Sequence, residues 1–422
     1  MMISDWRLAI SAAAFLAAVA TGLLAQDPPD RNEKWLSDLD ELGRVISERH
    51  KNPFFKTPRE QFFRAVDDVR KRIPTLKDPQ IVVEFMKLAA LIGDGHTVAY
   101  PGSDSAIKLR RFPIALMWFK DGLHVVASGA DQKDLLRARV VAIGGVPVDK
   151  AAERVAVMGA SDNASGARHA SANWLTIPEA LAGVGIVDDP EKCTFKIVDR
   201  EGRERSVDLA PVADPYRKSF GFDKPNHELP ISRRLARSRY GQELLPESKA
   251  LYAWYDACSD TKEKPVAAWC EELLKEIDDK KPARIVIDVR RNGGGNSSLL
   301  NPLLTGLRKR PDAVAPGRLF VLVDRATYSS AIINAVDLKK AFKAVLVGLP
   351  PGGALNGYGE IRTLALPHSK WVVQYSTKYF KLGPDGIDAL APDVEVEPTA
   401  AEFFSGSDPV LNAAVSYKPK ND

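Results

Sequence analysis

The sequence predicts an α/β fold: an α/β core that follows a helical N-terminal region and a mostly β middle module. Three observations carry this expectation. From Leu251 onward, short apolar runs ("RIVIDV", "RLFVLV", "KAVLVGL") alternate with amphipathic stretches ("VAAWCEELLKEI", "SLLNPLLTGL", "AIINAVDL"), as in a parallel sheet with helical crossovers. From Phe112 to Val212 the texture is short strands ("IALMWF", "LHVVAS", "CTFKIVD", "RSVDLA") punctuated by "KDG" and "REG". From Asn32 to Ile92 apolar residues recur at helical spacing.

In chain order, Leu36, Leu39, Leu42 and Ile46 mark the first helix. "TPRE" offers Thr57 as N-cap, Pro58 at the first helical position and Glu60 as capping-box partner for a second helix bearing Phe62, Val66, Val69 and Ile73. "DPQIVVEFMKLAALIG" repeats this start with Asp78 and Pro79 and should stop at Gly93. "DGHTVAY" then resumes extended, which leaves His96 at a helix-to-strand junction. "RVVAIGGVPVDK" reads as a strand, a glycine turn and a second strand, and "DPYRKSFGFDKPNHELP" as a linker or surface loop. The expected divisions are a signal peptide over 1–25, a helical region over 32–100, a β module over 107–215 and a core over 216–422.

Composition narrows the function classes. The 422 residues, 45% apolar and 27% charged, suffice for a large core in more than one unit. The net charge of +4 has no basic block behind it, so neither nucleic acid nor an anionic membrane is the expected partner. Arg7 precedes an uncharged run from Leu8 to Ala25 and then a Pro-rich polar stretch, the layout of a secretory signal peptide with cleavage after Ala20 or Ala25. The protein is therefore expected to be exported, periplasmic or secreted, with no stable membrane insertion after removal of the segment. An uncleaved anchor and a buried helix are the alternatives. The odd cysteine count (Cys193, Cys258, Cys270) and its spacing fit neither a disulfide scaffold nor a zinc site, so buried thiols are expected.

Two loops sit where a parallel sheet gathers its functional residues, at the carboxyl ends of strands: "DVRRNGGGNSS" and "DRATYSS". They should face each other. Gly293, Gly294 and Gly295 can expose backbone N–H groups to an anion or oxyanion. A dinucleotide loop would need Gly where Ser298 stands, and no G-K-[ST] follows, so neither a dinucleotide nor a phosphate loop is read, and no cofactor or metal is expected. Ser329 and Ser330 open a helix. Ser is a favoured N-cap, yet a helix N-terminus also supplies donors and a positive field for an alkoxide, so capping and nucleophilic roles for Ser329 both stand. A nucleophilic serine needs a base. Of six histidines, His96 in "GDGHT" is the best placed. Glu360 could orient that base, Tyr358 could donate to an oxyanion, and Asp393 reads as a turn residue.

Taken in order, "DGHT", "IVIDVRRNGGG", the T-x-S turn after "LFVLVD", "VGLPPGG" and "LAPDVEVEPTAAEFFSGSDPVL" resemble the S41 serine peptidases, the C-terminal processing and tricorn-type proteases. The resemblance runs from about Trp35 to Val415 and implies a ClpP/crotonase-like core with a PDZ-like module, here around "ARVVAIGGVPV", acting on a peptide or protein substrate. It implies Ser329 as nucleophile, with Thr327 two residues before it, and the backbone N–H groups of Gly294 and Ser330 as oxyanion hole. In the Ser/Lys branch a Lys stands twenty-five residues after the serine; that position is Ala354 here. The tricorn-like branch uses a His from the N-terminal part, matched by His96. The acid of that branch would fall at Gly386, so Asp385, Asp388 and Glu360 are its substitutes, Glu360 foremost, with Lys378 an outside candidate for the base. The expected function is an exported serine peptidase working through an acyl-enzyme on Ser329. An inactive peptide-binding protein and a crotonase-like acyl-thioester enzyme are the alternatives.

Overall fold

The computed structural model describes residues 30–212, 220–221, 228–234 and 238–419. The expected signal peptide and most of the expected linker lie outside the described residues. Helices α1 (Arg31–Arg49), α2 (Arg59–Arg72) and α3 (Asp78–Ala90) form the N-terminal region. α1 starts at a reciprocal cap in which the Asp30 carboxylate accepts from the Glu33 N–H at 2.7 Å. Its stripe of Trp35, Leu39, Leu42, Val45 and Ile46 is buried. α2 departs from expectation: Pro58 holds the N-cap position, and the Thr57 hydroxyl instead donates to the Leu91 carbonyl, tying the start of α2 to the end of α3. Gly93 ends this region at φ +76°, where the Lys56 side chain leaves no room for a Cβ.

After β1 (Val98–Pro101) comes the middle module, built from β2 (Ile114–Phe119), β3 (Gly122–Ser128), β4 (Arg139–Ile143), β5 (Val146–Pro147), β6 (Cys193–Val198) and β7 (Glu204–Leu209), paired in the order β2-β3-β4-β6-β7 with β5 folded back on β4. Gly144 and Gly145 both have positive φ, as the tight β4–β5 hairpin requires. The stretch read as mostly β also holds α4 (Val148–Val155), α5 (Ala164–Trp174) and α6 (Pro178–Gly183).

The core alternates as expected: β8 (Tyr240–Leu245), β9 (Ala250–Tyr255), α7 (Val266–Lys280), β10 (Arg284–Asp288), α8 (Asn301–Arg308), β11 (Leu319–Val323), α9 (Ser330–Phe342) and β12 (Val345–Gly348). The sheet order is β15-β12-β11-β10-β9-β8, with β15 (Val394–Glu395) at one edge and every pair parallel except β8–β9. β10 and β11 are buried almost throughout, which is why they read as continuous apolar runs. α10 (Ala400–Ser405) and α11 (Pro409–Ser416) close the chain. A second, three-stranded sheet joins distant parts: β13 (Asn356–Ala365) and β14 (Trp371–Lys381) form a hairpin, and β1 adds to β14 with Val98 opposite Gln374. Trp371, Val373 and Tyr375 of β14 pack into the same core as α1–α3. This pairing carries His96 from the N-terminal region to the core.

The end of β10 is fixed by a buried charge network. Arg290 donates to Asp288 at 2.7 and 3.0 Å and to Asp408, the N-cap of α11, at 2.8 Å. Removing one member of such a network leaves the rest uncompensated. Arg290→Met should lower unfolding stability by roughly 3–5 kcal/mol, read as a drop in the urea midpoint. Among the described residues, no helix is long and apolar enough to cross a membrane.

Candidate active site

The loops after β10 and β11 are stitched together. The Tyr328 N–H donates to the Asn292 carbonyl at 3.0 Å, and the Thr327 hydroxyl donates to the Val289 carbonyl at 3.0 Å. The Asn292 side chain is held in turn by donating to the Tyr255 carbonyl at 2.8 Å. Gly294 has φ +106°, and a Cβ there would stand 2.7 Å from the Ser329 Cβ and 3.1 Å from the Ser330 nitrogen. The glycine therefore leaves the space in front of the Ser330 N–H open.

Ser329 precedes α9 with φ +53° and ψ −125°, a conformation that residues with a Cβ rarely adopt, and its side chain caps nothing. Its hydroxyl has no hydrogen-bond partner among the described residues, whereas the Ser330 hydroxyl donates to the Gly295 carbonyl at 2.6 Å. The Ser330 N–H, first of the helix, has no acceptor among the described residues. A strained serine at a sharp strand-to-helix turn is the arrangement that lifts a hydroxyl clear of the backbone. Gly294, expected as the second oxyanion donor, departs from that expectation: its N–H already donates to Asn292 Oδ1 at 2.9 Å, so its contribution here is steric.

His96 packs at a tilt against Tyr328, the neighbour of Ser329, with ring centroids 4.7 Å apart. Its Nδ1 lies 3.2 Å from the Tyr328 hydroxyl and 3.7 Å from Asp94 Oδ1, while its Nε2 is buried and has no partner among the described residues. Asp94 is buried and accepts from His50 Nε2 at 3.1 Å, Thr97 Oγ1 at 2.7 Å, Ser376 Oγ at 2.6 Å and the His96 N–H at 3.0 Å. Burial alone would raise the Asp94 carboxyl, but the bonds from His50, His96 and Ser376 outweigh it and hold it far below the usual range. Asp162, from the loop before α5, accepts from the Gly95 N–H at 2.8 Å and from the Tyr328 hydroxyl at 2.9 Å.

Glu360 does not serve as the acid in this geometry. It sits at a break in the β13–β14 ladder with φ +56°, its side chain is exposed, and its carboxylate makes no bond among the described residues. The adjacent Gly359 faces the His96 ring instead, its Cβ position 3.8 Å from Cε1. Tyr358 packs at a tilt against Phe55, and its hydroxyl accepts from Asn52 at 3.0 Å. Lys378 is exposed over the Phe380 ring, and Asp385 pairs with Lys381. Asp388 is exposed and offers its backbone carbonyl to Asn163. Asp393 accepts from the Leu346 N–H and pairs with Lys339, as befits a turn residue. All three cysteines are free and buried. Sequence reasoning missed Asp94, two residues before His96 in the same "GDGHT", and gave no signal for Asp162 or Tyr328.

Asp94 and Asp288 together set an acid limit. Burial would raise Asp288, but Arg290 outweighs it and brings the carboxyl down to about 2. With both groups depressed in the fold, the unfolded chain binds more protons as pH falls. Their stabilisation is complete above the unfolded value of about 4 and fades as pH drops toward the folded values. Urea midpoints should fall below pH 4, and less steeply in Asp94→Asn.

A cavity of about 490 Å³ lies between β2, α5 and the ends of β10 and β11, lined in part by His169, Arg233, Arg290 and Asp324. Neither Ser329 nor His96 lines it, although Arg325 and Ala326 of the serine turn do. The catalytic candidates thus lie outside the enclosed space.

No family model and no curated protein matches the sequence. Solved structures do. Mature CPAF aligns at a TM-score of 0.62 over 91% of this chain and 96% of that one, with 13% identity. CPAF complexed with lactacystin aligns at 0.63 over 91% and 98%, also at 13% identity. A CPAF mutant aligns at 0.64 over 92% and 99%, at 12% identity. This likeness shows a shared fold, and the α/β class expected from the sequence is the one observed.

Proposed function

We propose that the protein is a serine peptidase of the S41 type, exported and acting on peptide or protein substrates through an acyl-enzyme on Ser329. The observation that carries this reading is the backbone of Ser329: a strained, uncapping serine at the carboxyl edge of a parallel sheet, one residue from a tyrosine that touches His96. The CPAF-like fold supports it. In this mechanism His96 Nε2 takes the Ser329 proton, the oxygen attacks the substrate carbonyl, and the Ser330 N–H receives the developing oxyanion in the space that Gly294 leaves open. The protonated imidazole then gives its proton to the leaving amine, and water releases the acyl group by the same route. The buried Asp94 carboxylate favours the imidazolium formed in between.

A second reading has its own support. No hydrogen bond joins Ser329 Oγ to His96 Nε2, and the Gly294 N–H is already engaged. A peptide-binding protein without chemistry would look the same. Catalytic hydrogen bonds are commonly long before substrate arrives, so the peptidase reading is preferred. Turnover of a peptide mixture, followed by mass spectrometry, separates the two. Cleavage that falls by about 10²–10⁴-fold in His96→Ala is expected. Peptide affinity with no cleavage by the folded wild type selects the binding protein.

A further inference from the structure

Tyr328 and Asp162 have no part in the steps above, yet both lie beside His96 Nδ1 or its partner. The Tyr328 oxygen carries one proton and has two partners, Asp162 Oδ2 at 2.9 Å and His96 Nδ1 at 3.2 Å. A carboxylate only accepts. The tyrosine proton therefore goes to Asp162, and the tyrosine oxygen is left to accept from His96 Nδ1–H. Burial, reinforced by the Asp162 and Asp94 charges, pushes the Tyr328 phenol well above its usual value, so the hydroxyl keeps its proton. Asp162 itself is held in place: the Gly95 N–H donates to Oδ1 at 2.8 Å, and the Ala354 N–H approaches Oδ2 at 3.4 Å. With Nδ1 protonated, the buried and unpartnered Nε2 is the bare nitrogen that a general base requires.

We propose that Asp162 and Tyr328 are positioning residues that lock His96 in its Nδ1–H tautomer and so present Nε2 to Ser329. This rests on the peptidase reading. It also assigns the middle module a share in the site, because Asp162 comes from the loop before α5, His96 from the approach to β1 and Tyr328 from the turn after β11.

Asp162→Asn tests the lock, because it keeps shape and reverses one hydrogen bond. The Gly95 N–H holds the amide oxygen, so the NH₂ group faces Tyr328 and donates to it. The Tyr328 proton must then point at His96 Nδ1, which moves the imidazole proton to Nε2, the wrong nitrogen for catalysis. In ¹⁵N-histidine-labelled full-length protein, the His96 resonances, assigned by their loss in His96→Ala, should report Nδ1–H in the wild type and Nε2–H in Asp162→Asn. Labelling by a fluorophosphonate should slow by a hundredfold or more in the variant, on the order of the cost of a reversed tautomer. Tyr328→Phe removes the acceptor but leaves Asp94, so it should blur the tautomer preference and slow labelling about tenfold; it carries the test if Asp162→Asn does not fold. A wild-type Nε2–H tautomer, or variants with an unchanged tautomer and labelling rate, overturns the proposal. A tautomer that switches as expected in a protein that never labels upholds the lock and removes the peptidase reading instead.

Discussion

Ser329→Gly should make the protein more stable and catalytically dead. At φ +53° and ψ −125° the serine holds a conformation that costs on the order of 1–3 kcal/mol with a Cβ present. Glycine adopts it freely and gives back roughly 0.5–1 kcal/mol through its looser unfolded chain. The expected net gain is about 1 kcal/mol, read as a higher thermal midpoint, while hydrolysis falls to background. Ser329→Ala keeps the Cβ and loses no capping bond, so its stability should stay near wild type. The capping hypothesis makes the contrary forecast: loss of a side-chain cap would cost Ser329→Ala about 1 kcal/mol and leave activity largely intact. The two variants together therefore separate a serine kept for chemistry from one kept for the helix, with strain retained where function needs it.

Gly294→Ala should be nearly as damaging to activity, without touching any reacting atom. The new methyl group would meet the Ser329 Cβ at 2.7 Å and the Ser330 nitrogen at 3.1 Å, both set by backbone that cannot step aside cheaply. It would also occupy φ +106° with a side chain. Closing the approach to the Ser330 N–H removes an oxyanion donor, typically worth about 10²–10³-fold in turnover, and the crowding should cost roughly 1–3 kcal/mol of stability. Gly293→Ala is the control, since nothing lies within 4 Å of its Cβ position and its φ is not positive. It should behave like wild type. A Gly294→Ala enzyme that retains its turnover would remove the Ser330 N–H from the mechanism.

The elements most legible in the sequence were those decided by local physics. "RIVIDV" and "RLFVLV" read as buried parallel strands because they are apolar on both faces, and the loops at their carboxyl ends do meet. The glycine pair at Gly144 and Gly145 marked its hairpin because only a positive φ turns that tightly. Thr57 shows where local rules stop: its hydroxyl satisfies a carbonyl on another helix in preference to its own. The pairing of β1 with β14, which brings His96 to the core, joins segments more than 250 residues apart, and no pattern within either strand encodes it. Glu360 was read as the substitute for an acid missing at Gly386, and the break in the ladder at β13 turns it to solvent. Asp94 was the recoverable one, since an aspartate two residues before a histidine can bond that residue's N–H, as it does here. Asp162 was not, because only the tertiary fold places its loop against Tyr328.

Covalent capture of Ser329 tests the central claim most directly. The purified chain is treated with a fluorophosphonate and digested, and the adduct is located by peptide mapping in the wild type, Ser329→Ala and His96→Ala. A single adduct on Ser329, absent from Ser329→Ala and formed a hundredfold or more slowly in His96→Ala, is the expected result. A folded wild type that takes up no label, or that carries it on another residue, contradicts the account.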